Sequence, residues 1–172
     1  MKDSMDGPTS GRSTVPELPF SFTDEKGRSI EIVVSEERID SLVDMYDHFD
    51  GTAQSQGLPP RTRERTTDWL EILFADGLNV VAKNGGDPVG HAVLLPYEDT
   101  SELAIFVRPD YQSAGIGTEL IGGLLHYGRS EDVEHVWLTV SHDNRIAMRL
   151  YRSAGFEIRD EDRGEYEMER EL

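Results

Sequence analysis

Apolar and polar positions alternate in short runs along most of the chain, and stretches of helical period separate those runs. Phe20-Ser21-Phe22 and residues 30–34, on either side of Asp24-Glu25-Lys26-Gly27, predict two strands joined by a turn. Ser35 then stands where a helix cap is wanted, with Glu36 and Glu37 in the first turn and Ile39, Leu42, Val43, Tyr46 and Phe49 repeating on one face. After a polar loop over 50–57, Pro60 can occupy the first turn of a second helix that buries Trp69, Leu70, Leu73 and Phe74 before Gly77 ends it. Residues 78–83 and 89–95 read as strands around the hairpin signal Asn84-Gly85-Gly86-Asp87, and 102–107 reads as the next antiparallel strand.

A helix over 116–129 turns Ile116, Leu120, Ile121, Leu124 and Leu125 inward. It carries Gly122 and Gly123 side by side, at a cost of about 1 kcal/mol each relative to alanine, which predicts close packing on the sheet. Val136, Leu138 and Val140 alternate with Trp137 and Thr139, and the strand-helix-strand order makes this strand parallel to 102–107. A short helix starting at Asp143 or Asn144 buries Ile146, Ala147, Leu150 and Ala154 and stops at Gly155. A strand from Phe156, a turn over 160–164 and a closing strand with Tyr166, Met168, Arg170 and Leu172 alternating with glutamates complete the pattern. The expectation is one α/β domain over 20–172 behind a loose Gly/Ser/Thr/Pro-rich tail over 1–19. Its sheet is mixed and mostly antiparallel, with six to seven strands flanked by about four helices.

Composition narrows the function. The 172 residues suit one domain with a real core. The formal net charge is −17, from 34 acidic against 17 basic side chains, and Lys2, Lys26 and Lys83 are the only lysines. Such a field repels nucleic acid. The acidity is spread along the chain, which favours a surface adapted to a salt-rich, halophilic cytoplasm over local steering of a cationic substrate. With no cysteine there is no disulfide, thiolate metal site or thiol nucleophile. No apolar run approaches a membrane span and 1–19 lacks the apolar centre of a signal peptide, so a cytoplasmic protein is expected. His126, His135 and His142 lack ligand spacing, so no metal is expected, although His142 stands near enough to the next motif to relay a proton through water.

The chemistry concentrates after the 102–107 strand, in Arg108-Pro109-Asp110-Tyr111-Gln112-Ser113-Ala114-Gly115-Ile116-Gly117. A strand, a loop with two glycines and a helix starting inside the loop present unpaired backbone N–H groups to an anion without Lys or Arg. A P-loop fails because Thr118 and Glu119 follow Gly117, and a dinucleotide fingerprint is weakened by Leu120. A plain glycine-rich turn is the simpler alternative. What remains, Gln112 to Gly117 as Q-x-x-G-x-G, resembles the pyrophosphate-binding motif of the GCN5-related N-acetyltransferase superfamily. A second stretch has Asn144, Ala147, Leu150, Tyr151, Gly155 and Phe156 at the offsets of that superfamily's N-x-x-A-x-x-L-Y-x-x-x-G-F motif. Asn144 and Tyr151, seven residues apart, project from one side of the helix.

The resemblance implies the acyl-CoA N-acyltransferase fold, acetyl-CoA as cosubstrate, and an amine acceptor on a protein or small molecule. It implies that Ile105, Phe106 and Val107 meet the pantetheine arm and that Gln112, Ser113, Ala114, Gly115, Ile116, Gly117 and Thr118 hold the pyrophosphate. Asn144 would hydrogen-bond the coenzyme arm. Tyr151 would serve as general acid at the departing sulfur, its alternative being an amphipathic core residue. Glu102 is the candidate base by similarity to protein-lysine acetyltransferases, and otherwise a solvated strand-end carboxylate. The carboxylate that ribosomal-protein N-terminal acetyltransferases carry on the next strand is replaced by Thr139. The loop over 50–57 and Arg61 to Arg65 would border the acceptor channel, with simple solvation of the arginines as the alternative. A homodimer is common in the superfamily. An inert coenzyme A sensor of the same fold is the rival reading.

Overall fold

The computed structural model describes residues 17–35, 38–49 and 58–172. The expected tail up to residue 16, Glu36, Glu37 and the 50–57 loop lie outside them. Among the described residues eight strands form one sheet: β1 Phe20–Thr23, β2 Ser29–Val34, β3 Leu78–Asn84, β4 Asp87–Tyr97, β5 Thr100–Val107, β6 His135–Ser141, β7 Glu157–Asp162 and β8 Glu165–Glu171. Their order is β1-β2-β3-β4-β5-β6-β8-β7, antiparallel throughout except for β5 and β6. The fold class is the expected one, with a strand more than the six to seven anticipated because both terminal hairpins join the sheet.

Helices cover the two faces in different places. Strand register sorts the side chains: His91 faces Phe106, Val93 faces Ala104 and Leu95 faces Glu102 across β4 and β5. The apolar members of that set meet α1 (Ile39–Tyr46) and α2 (Arg63–Asp76). On the opposite face, Ala92, Leu94 and Leu103 pack with Leu120, Ile121 and Leu124 of α3 (Ile116–Ser130), which follows β5. Each such leucine or isoleucine, removed from water, contributes about 1.5–3 kcal/mol. Gly123 is where α3 approaches most closely: a Cβ there would stand 3.1 Å from Ile32 and 3.2 Å from Leu18. Leu18, placed in the expected tail, therefore packs on the core.

Five local expectations are corrected. Ser35 does not cap α1: its N–H continues the sheet to Asn79 O at 2.9 Å, and Arg38 precedes the helix without a side-chain cap. Pro60 lies outside α2. Thr62 is the cap there, accepting from Arg65 N at 3.3 Å. Ile146 is not buried by α4 (Arg145–Ser153) but stands 72% exposed, because that helix turns Met148 and Tyr151 into the core instead. Gly77 ends α2 for want of space rather than for a left-handed backbone: a Cβ would meet Leu73 O and Val93 at 2.7 Å. Arg63 is no free cation either, since it pairs with Asp44 at 2.9 Å and with Asp47, tying α2 to α1.

Under these two helices runs a buried polar chain that fixes their position. Asn79 Nδ2 donates to Leu73 O at 2.8 Å and Gly77 O at 3.1 Å, so its oxygen is left to accept from His91 Nε2 at 2.8 Å. His91 Nδ1 is then the acceptor for the Tyr46 hydroxyl at 2.7 Å. Phe74 stacks on the imidazole, its ring centre 5.8 Å away. Full burial pushes His91 down to about 3 and raises the Tyr46 phenol well above its usual range, so both are neutral. A histidine lowered on folding lends stability that is complete above its ordinary value near 6.5 and is lost as pH falls toward 3. Between pH 6.5 and 4.5 this one group removes about 1.4 kcal/mol per pH unit. Urea unfolding of His91→Leu over that window is expected to show a slope shallower by one proton; an unchanged slope would mean that His91 charges inside the fold.

Candidate active site

β5 and β6 begin as neighbours and then part. Their parallel ladder consists of Ser101 with Val136 and Glu102 with Trp137, after which the strands diverge. A cavity of about 260 Å³ opens in the gap. Ile105, Phe106 and Val107 line it from β5, Thr139 and Val140 from β6, and Asn144, Ile146, Ala147, Leu150 and Tyr151 from the start and inner face of α4. Tyr111, Gln112, Ser113 and Gly117 close its far end. One edge of β5 thus faces an open groove while the other is paired to β4 along its length.

The loop from β5 into α3 has the backbone that an anion cradle needs. Pro109–Tyr111 forms one turn of 3-10 helix, Ser113 and Gly115 are left-handed with φ of 59° and 89°, and Gly115 is the N-cap of α3. No side chain caps that helix, so its first N–H groups are left to the loop. Ala114 and Ile116 are buried and hold the loop to the core rather than facing the cavity. The Gln112 side chain does not reach out: its Nε2 donates to Val107 O at 3.0 Å, tying the loop to the end of β5. Thr118, on the first turn of α3, is exposed and outside the cavity wall.

Asn144 and Tyr151 do share a side of α4 and both line the cavity. Asn144 is also the helix N-cap, its Oδ1 accepting from Ala147 N at 3.1 Å, which leaves its NH₂ group for another partner. Burial pushes the Tyr151 phenol up to about 12, so it holds its proton at neutral pH. Glu102 stands where the two strands still pair, outside the cavity wall, on the sheet face that also carries Trp137 and Thr139. Partial burial raises its carboxyl. His142 is not brought to the cavity: it lies on Tyr166 at 4.0 Å, with Nε2 3.3 Å from Glu161.

Phe49, which the sequence placed only on the apolar face of the first helix, reaches the cavity from beyond α1; it and the expected Phe106 of β5 stand against the Tyr46 ring at 5.3 and 5.6 Å. Trp69 stands edge-on to the same Tyr46 and Phe106. The His91 chain therefore holds an aromatic wall on the α1 and α2 side. Among the described residues no group of three or more His, Asp or Glu can hold a metal ion, and no helix is long and apolar enough to cross a membrane.

A profile of the acetyltransferase (GNAT) family matches residues 42–156, well over half of the chain. The ribosomal protein bS18-alanine N-acetyltransferase of Escherichia coli is 32% identical over 100 residues, covering 55% of this chain and 68% of that protein. The chain spans less than half the length of other curated relatives that it matches. Among solved structures, the GNAT domain of S. lividans PAT superposes with a TM-score of 0.78 at 15% identity, over 90% of this chain and 97% of that one. The PaiA N-acetyltransferase of Thermoplasma acidophilum, in complex with coenzyme A, superposes with a TM-score of 0.66 at 19% identity, over 83% and 99%. At these identities the likeness is one of fold. With the family profile running through the diverging β5 and β6, the glycine loop and α4 of this chain, the chain belongs to the acetyltransferase (GNAT) family.

Proposed function

We propose that this chain is an acetyl-CoA-dependent N-acetyltransferase that moves the acetyl group directly to a primary amine of a protein or small molecule. The observation that carries the reading is the convergence, on one cavity, of the open edge of β5, the cradle at the start of α3 and the protonated Tyr151. A coenzyme bound there would lay its amide-bearing arm along Ile105, Phe106 and Val107 as an added strand does, with Asn144 donating to it. Its pyrophosphate would meet the amides from Gln112 to Thr118, where the helix dipole favours negative charge. That the Thermoplasma acidophilum neighbour of the same fold is in complex with coenzyme A supports the choice of ligand.

The chemistry then asks for two proton movements. The amine nitrogen attacks the acetyl carbonyl carbon, the C–S bond breaks, and the acetyl group ends on nitrogen. The Tyr151 hydroxyl gives a proton to the departing thiolate, a role that a phenol kept neutral by burial can fill. The amine's proton leaves on the opposite side, and Glu102, with its carboxyl raised by burial, takes it through water. The acceptor enters past Phe49 and Phe106, whose faces suit a cation.

Thiol release from acetyl-CoA, followed with a panel of peptide and small amines, tests the activity; coenzyme binding without release for any amine would leave a sensor. Tyr151→Phe is expected to lower kcat by about 10²-fold or more with little change in coenzyme affinity, and parent-like turnover would remove Tyr151 as the acid. Gly115→Val, which puts a branched side chain on a left-handed residue of the cradle, is expected to weaken coenzyme A binding more than tenfold by calorimetry. For Glu102→Gln the expected loss of rate is concentrated below the amine's own pKa. A pH profile superimposable on the parent's would exclude Glu102 as base.

A further inference from the structure

We propose that Asp24 and Arg28, in the turn between β1 and β2, form a positioning pair that sets the shape of the anion cradle from behind. The inference rests on the reading of residues 112–118 as the coenzyme's pyrophosphate site. Neither residue lines the cavity, and 84 positions separate Asp24 from the 108–117 loop in the chain.

The turn is built around Asp24, whose side chain is fully covered. Its Oδ1 accepts from Lys26 N at 3.0 Å and Arg28 N at 2.8 Å, and its Oδ2 accepts from Arg28 Nε at 2.7 Å. Burial pushes this carboxyl up, but the donors of Arg28 and Lys26 outweigh that and hold it below the usual carboxylate range. The guanidinium, oriented by the buried carboxylate, lies over the Tyr111 ring at 4.0 Å, and its Nη1 donates to Asp110 O at 3.3 Å. From the same turn Glu25 N donates to Ala114 O at 3.0 Å. Tyr111 is held on its other end by its hydroxyl, which donates to Asn84 Oδ1 at 2.9 Å.

The turn therefore grips the loop at 110, 111 and 114, on both sides of Ser113 and just before Gly115, the two left-handed residues. A non-glycine residue at positive φ persists where its surroundings impose it. Released from the turn, the loop gains alternative backbone states, and its amides no longer converge before the ligand arrives; affinity then falls by the cost of ordering them. Arg28 Nη2 is covered and has no hydrogen-bond partner among the described residues. Direct contact with a coenzyme phosphate is thus the competing role for this side chain.

The two roles give opposite results in calorimetry with coenzyme A and with dephospho-coenzyme A. Asp24→Asn removes a negative charge near an anion site, so a purely electrostatic effect would tighten binding, whereas loss of the brace weakens it. Positioning predicts about tenfold weaker binding of both ligands in Asp24→Asn, Arg28→Ala and Arg28→Lys alike, since lysine keeps the charge but cannot lie flat on Tyr111 while donating to two partners. Glu25→Pro serves where Asp24→Asn fails to fold: proline suits the first corner of the turn, closed by Gly27 N to Asp24 O at 3.0 Å, and deletes the N–H given to Ala114 together with a carboxylate beside Gly115, whose loss by itself would tighten anion binding. It is expected to weaken both ligands several-fold. Parent-like affinity in Arg28→Lys, a loss confined to coenzyme A, or tighter binding in Asp24→Asn would overturn the brace. A parent chain that binds neither ligand would overturn the reading of the cavity itself.

Discussion

The structure depends on one interruption in its hydrogen bonding. A sheet is held by pairing every backbone donor and acceptor, yet β5 and β6 pair at two positions and then separate. The main chain of the rest of β5 faces the gap with polar groups that a ligand has to satisfy. Everything nearby maintains that opening. β4 pairs the other edge of β5 in full, α3 and α4 pack beneath, and β8 ties β6 into the sheet along its length, so the strands cannot close on each other.

The same economy shows in the groups that hold the site without touching a ligand. On the α1 and α2 side, a chain of three neutral polar groups from Asn79 through His91 to Tyr46 anchors an apolar cover, and the aromatic rings on it become a wall of the cavity. Because each member has its partner, the chain costs little to bury; an unpaired member would cost about 1–3 kcal/mol. On the opposite edge, the first hairpin gives the core Phe20, Phe22, Ile30, Ile32 and Val33, and its turn supports the glycine loop. The ends of the sheet thus act on the site through the elements between them.

The two motifs contribute unequal certainties about individual side chains. Tyr151 and Asn144 meet the cavity together because two helical turns return to one face, a relation set by helix geometry. Gln112 and Ile146 behave otherwise. The glutamine belongs to the motif but spends its amide on Val107, and the isoleucine reads as core by period yet stands exposed at the cavity mouth. Local pattern cannot separate an apolar residue that faces the core from one that faces a ligand groove, since both are written with the same letters.

Short-range physics was legible in the chain alone: most of the strands, the direction of the crossover into β6, the start of α3 in a glycine loop and the cap of α4 all follow from residue type and spacing. The family likeness was equally legible, being carried by fixed offsets within two short stretches. Tertiary structure alone decided that Ser35 extends a strand, that Thr62 rather than Pro60 opens α2, and that Glu102 stands outside the cavity. It also decided the contacts of Asp24, Arg28, Asn79 and His91, because a buried polar group takes its meaning from partners that are distant in the chain, and a single sequence does not record which distances folding closes.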